Sequence, residues 1–198
     1  ADGFLHFADI SGAIMAIERG PRGPMAGETI IELRYNGPKA TAPIALQDLQ
    51  ITLRAGTGFK PSILFRPSAA EARSQAMIAV SGGKLEMQDI HVEWLLPRGA
   101  SDGGSLFSIQ KAELVKFMSC TLSIDGSRAT RAAGAAEPAF FELAPMSRFE
   151  AAQSTDKMAM MEESPVPLEL WHTIARGPAT LILSLIHISE PTRLRRIS

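Results

Sequence analysis

Apolar residues in this chain come in short runs, separated by one or two small or polar residues, and the clearest stretch, 77–124, is one unit written twice. The first copy reads MIAVSGGKLEMQDIHVEW and the second LFSIQKAELVKFMSCTLSI. Met77 to Val80 align with Leu106 to Ile109, and Leu85 with Leu114, at a shift of 29; Ile90, Val92 and Trp94 align with Cys120, Leu122 and Ile124 at a shift of 30. QDLQITL, ending at Leu53, aligns with QDIHVEW, ending at Trp94, at a shift of 41, and Thr173 follows Cys120 at a shift of 53. A period near 30 residues built from short strands predicts a stacked β-architecture, in which no unit stands alone and each buries its apolar face on the next.

The alignment predicts columns. Leu49, Ile90, Cys120 and Thr173 form one inward column, and Ile51, Val92, Leu122 and Ala175 the next. Asp48, Asp89, Ser119 and His172 fall at a polar bend before them. Gln50, His91, Thr121 and Ile174 are expected to point outward, as are Thr52, Glu93, Ser123 and Arg176, since side chains alternate along a strand.

Ahead of the repeats, Asp9 or Ser11 is suited to cap a helix running to about Glu18, with Ile10, Ile14 and Ile17 on one face. Ile31 and Leu33 alternate with Glu32 and Arg34 as a half-buried strand, and Asn36-Gly37-Pro38 reads as a turn. The helix is expected to cover the first rung of a β-helix, whose unpaired backbone groups would otherwise be exposed. The expected organisation is 1–27 as cap and linker, 28–143 as the main rungs, 144–167 as a loop excursion and 168–182 as the start of a further rung. Composition fits a packed domain: 45% of the residues are apolar and the net charge is −1, so no nucleic-acid partner is expected. No apolar run is long enough to span a membrane. The lone Cys120 excludes an internal disulfide framework.

The last sixteen residues, 183–198, stand apart. LSLIHISEPTR, ending at Arg193, resembles residue for residue the translation of a transposase adapter used in sequencing libraries, so this segment is expected to be artefact rather than native sequence. Without it the chain carries 17 basic and 20 acidic residues, a net charge of −3. The absence of a methionine or a leader at Ala1 likewise suggests a processed form or a fragment.

On GETIIELRYNGP, LQITLRAG and VSGGKLEMQDIHVE, 7–182 resembles the right-handed parallel β-helix (pectate-lyase-like) region of large bacterial proteins. Some of these carry a serine/threonine kinase domain ahead of it. The resemblance implies an all-β, right-handed parallel β-helix with a short N-terminal capping helix, truncated at its C-terminus, and by analogy an extracellular or cell-surface setting. This chain has no Gly-rich ATP loop, His-Arg-Asp loop or Asp-Phe-Gly motif, and GTGFK from Gly56 lacks the spacing of a phosphate loop.

Polysaccharide-cleaving β-helices need clustered carboxylates for calcium or acid–base work. Here Asp89 and Glu93, with Asp48 and Arg176 on other rungs, are the candidates, but Asp at a bend ordinarily satisfies backbone groups and Glu93 aligns with Thr52 and Ser123 rather than with a second acid. His91 has no partners at metal-ligand spacing. Lys84 and Glu113 align at the shift of 29 and are expected to be neighbours. The candidate surface strip comprises Lys84, Glu86, Asp89, His91, Glu93, Glu113 and Lys116. The expectation is a non-catalytic, monomeric binding or structural module with no cofactor or metal, facing a polysaccharide or protein surface. The alternatives are a carbohydrate-active enzyme whose site lies on missing rungs, and the sensor region of a receptor-like kinase.

Overall fold

The computed structural model describes residues 5–20, 27–68, 76–97, 103–127, 136–143 and 167–184. Helix α1 (Ile10–Glu18) comes first, and Asp9 is its N-cap: its Oδ1 accepts from the Gly12 N–H at 2.7 Å. Fifteen strands follow among the described residues, three to each turn of the chain. The first turn is β1 (Thr29–Leu33), β2 (Gly37–Thr41) and β3 (Ile44–Gln47). The second is β4 (Gln50–Ala55), β5 (Pro61–Phe65) and β6 (Ala76–Ser81). The third is β7 (Lys84–Gln88), β8 (His91–Leu95) and β9 (Ser105–Gln110). The fourth is β10 (Leu114–Met118), β11 (Thr121–Asp125) and β12 (Ala139–Leu143), and the fifth β13 (Leu168–Trp171), β14 (Ile174–Arg176) and β15 (Thr180–Ser184).

Like strands of successive turns pair in parallel. The first sheet runs β1-β4-β7-β10-β13, the second β2-β5-β8-β11-β14 and the third β3-β6-β9-β12-β15. This is a parallel β-helix of three five-stranded sheets with an N-terminal helix, as the repeat implied. The repeating unit of the sequence is therefore one full turn. Segment 144–167 lies almost wholly outside the described residues, as does 185–198; β15 carries the pairing two residues into the adapter-like segment, with Leu183 beside Glu142.

Inward side chains stack like on like, in close-packed columns. Ile51, Leu85 and Val115 form one, Ile63, Val92 and Leu122 a second, and Ile78, Phe107 and Phe141 a third. Phe107, Phe117 and Phe141 meet across the interior with ring centroids 4.9–5.5 Å apart. Ile10 and Ile14 join this core, and the segment before the helix is tied to the first turn by the Lys39 ammonium, which donates to the Ala8 carbonyl.

Four sequence expectations are corrected here. First, Ile51 stacks on Leu85, not Val92, and Val92 stacks on Ile63. The shift-41 alignment matched two different corners. Asp48 turns the chain from the third sheet into the first and stacks over Gly82, whereas Asp89, Ser119 and His172 turn it from the first sheet into the second. These four corner residues, and Lys111 with them, adopt the left-handed conformation, with φ between 48 and 56°, so two distinct corners carry the same local signature. Second, Leu85 lies beside Val115 rather than Leu114, because the extra residue of the second copy is accommodated in the corner at Lys111 to Glu113, before the strand instead of after it. Third, Lys84 therefore lies beside Leu114 and is not the register partner of Glu113. Fourth, the Asn36-Gly37-Pro38 turn is immediately the start of β2. Gly37 has φ +77°, and Pro38 is tolerated because β2 is an edge strand that pairs only with β5.

Candidate functional site

The seven residues of the expected strip divide between two faces. Lys84, Glu86 and Lys116 project from the first sheet: Lys84 Nζ lies 2.8 Å from Glu86 Oε1 and 3.8 Å from Glu28 Oε1, and Lys116 Nζ lies 3.7 Å from Glu169 Oε2. The Glu86 hydrogen bond holds the Lys84 ammonium above the ordinary lysine range. These cations are matched by carboxylates of their own or the adjoining strands, a local neutralisation worth little in stability on an open face. Glu113 is exposed at the corner before β10, where its backbone N–H donates to Gly83 O at 2.7 Å. His91 and Glu93 lie beyond the Asp89 corner, on the second sheet. One continuous strip of all seven is thus not formed, because the left-handed bend at Asp89 turns the chain onto another face.

On the second sheet the register places His91 between Ser62 and Thr121, not next to Gln50, and Glu93 between Leu64 and Ser123, not next to Thr52. Thr52 is instead buried on the first sheet, where its hydroxyl donates to Glu28 Oε1 at 2.7 Å. A hydrogen-bonded row crosses four strands. Arg176 Nε donates to Ser123 Oγ at 3.0 Å, Ser123 Oγ lies 3.0 Å from His91 Nε2, and His91 Nδ1 lies 3.4 Å from Ser62 Oγ. Both serines are only 7% exposed although they project outward, because their neighbours in the row cover them. Burial pushes the His91 pKa below its ordinary 6.5; the Glu93 carboxylate opposes this and the Arg176 guanidinium adds to it.

His91 forms part of the floor of a shallow groove of about 380 Å³. The groove runs from Gly37 and Pro38 on the first turn, past Lys60, Ser62, Asp89 and Glu93, to Ser119 and Thr121 on the fourth. It spans three inter-strand steps of about 4.8 Å each. Lys60 and Ser62 belong to the groove but not to the strip or the columns expected from the sequence; for Ser62 a signal existed. Its signal was the 29-residue spacing to His91, hidden by the alignment of the wrong corner. Among the described residues no group of three or more His, Cys, Asp or Glu is placed to hold a metal ion, and no helix is long and apolar enough to cross a membrane. Cys120 is 1% exposed and burial pushes its thiol pKa up, which makes it an apolar filler rather than a nucleophile. The chain matches no protein-family model, no curated protein and no solved structure.

Proposed function

We propose that this chain is a non-catalytic binding module, and that the groove on its second sheet takes a polar polymer lying along the coil axis. The observation that supports this reading most directly is the repetition of polar groups on successive turns: Ser62, His91 and Thr121 are adjacent in register. Their spacing of about 4.8 Å per turn offers evenly repeated hydrogen-bonding groups to an evenly repeating chain. Both His91 nitrogens are engaged by serine hydroxyls, and Ser123 also accepts from Arg176. Such a row holds polar groups in position along the groove. A polysaccharide is the reading favoured over a flat protein surface, because the lining is concave and presents the hydroxyl-bearing side chains Ser62, Ser119 and Thr121.

Affinity electrophoresis through gels carrying single neutral or acidic polysaccharides tests this, run beside an absorbance assay for unsaturated sugar products. Retardation by at least one polysaccharide, reduced by Lys60→Glu, with no product formed, is the expected result. Product formation would overturn the non-catalytic reading, and free migration through every gel would overturn the binding reading.

A further inference from the structure

We propose that the groove is gated by protonation of His91: it takes an anionic polymer once the imidazole is charged and disfavours that polymer while the ring is neutral. This rests on the reading of the groove as a binding surface and adds a regulation to it.

A neutral imidazole carries one N–H and one lone pair, whereas an imidazolium carries two N–H donors. While the ring is neutral, one of the two flanking hydroxyls, Ser62 or Ser123, must spend its proton on the ring nitrogen that lacks one. Once the ring is charged, both serine oxygens accept and both hydroxyl protons are released to point elsewhere. Ser123 Oγ already accepts from Arg176 Nε, so protonation would set an imidazolium and a guanidinium on the same oxygen. Their repulsion frees Arg176, which is solvent-exposed, to turn toward an incoming anion.

The charged and titratable groups around the ring set the direction. Its own strand contributes Glu93, and the bend before it Asp89. From the β5 side come Ser62 and, just before that strand, Lys60. On β11 Thr121 and Ser123 face it, with Asp125 further along beside Leu95, and β14 contributes Arg176. With a neutral ring, the Asp89 and Glu93 carboxylates are matched by the Lys60 ammonium and the Arg176 guanidinium held on Ser123, so an anionic chain meets no net attraction. Protonation adds one positive charge to this balanced set, frees the Ser62 hydroxyl proton at the groove floor and releases Arg176. Burial of the ring, which keeps it neutral near pH 7, places the opening of the gate on the acid side.

Dextran sulfate and dextran share a backbone, and the sulfate half-esters stay ionised throughout, so any pH dependence belongs to the protein. Calorimetric titration at about pH 5 and about pH 8 is expected to show dextran sulfate bound on the order of tenfold more tightly in acid, with dextran indifferent to pH. His91→Gln, which keeps hydrogen-bonding capacity without the charge, is expected to abolish the difference. Proton NMR of the unsubstituted protein supplies a second readout: the Arg176 Nε–H resonance is expected to follow the His91 ring titration. Dextran sulfate that binds equally at both pH values, the same pH dependence in His91→Gln, or an Arg176 resonance blind to the ring would each overturn the gate and leave the groove reading standing. Absence of binding to either polymer at either pH would overturn the groove reading, and the gate with it.

Discussion

His91 Nε2 lies 3.0 Å from Ser123 Oγ on the neighbouring turn, so the ionisation of one side chain is tied to the stacking of two strands. Burial holds the folded-state pKa of His91 below its ordinary 6.5. Between those two values the unfolded chain binds more protons than the folded one. The stability contributed by the neutral ring is therefore present above 6.5 and is lost as pH falls through the folded-state value. The urea midpoint is expected to drop between about pH 7 and about pH 5, and to drop less in His91→Gln. Equal drops in the two proteins would show that the ring is not the group responsible.

Leu122 is fully buried between Val92 and Ala175, while Thr121, one residue earlier, faces outward between His91 and Ile174. Leu122→Asp is expected to cost about 4 kcal/mol or more by burying an unpaired carboxylate. Thr121→Asp is expected to stay within about 1 kcal/mol. Chemical denaturation of both variants checks the register, since a one-residue slip would exchange the two outcomes.

Gly83 and Gly37 both have positive φ, at +61° and +77°, but their surroundings differ. A Cβ on Gly83 would sit 2.2 Å from the Leu49 carbonyl oxygen, whereas one on Gly37 would meet nothing within 4 Å. Gly37→Ala should cost only the left-handed backbone penalty, about 1–2 kcal/mol. Gly83→Ala adds a clash with backbone that the stacked corner cannot move aside, and about 3 kcal/mol or more is expected. Comparable thermal midpoints for the two variants would refute the tight stacking of this corner.

Cys120 lies in the interior with its Sγ 3.4 Å from Met87 O, and burial holds its thiol protonated. A thiol-reactive disulfide reagent is expected to leave it unmodified in the folded protein and to react stoichiometrically in denaturant. Rapid labelling under native conditions would mean that this wall of the coil opens readily.

Much of the architecture could be read along the chain. The pairing of Val80 with Ile109 and of Val92 with Leu122 follows from the repeat spacing, because inward columns demand apolar residues at each turn. Asp9 capping the first helix is a matter of local hydrogen bonding, and it too was legible. Even the corner residues announced themselves as polar bends, although not which bend each one makes.

What needed three dimensions was the assignment of corners and the company of His91. Asp48 and Asp89 share a left-handed backbone and a preceding Gln, so nothing local separates the corner entering the first sheet from the one leaving it. Only the stacking of whole turns does so, through the close approach of Asp48 to Gly82 and the backbone bond from Asp89 N to Met118 O. The row on the second sheet joins Ser62, His91, Ser123 and Arg176 across separations of 29, 32 and 53 residues. Alternation of side chains along each strand decided which residues face outward. Which outward residues become neighbours depended on the length of every intervening loop, and that sum is settled only when the turns pack.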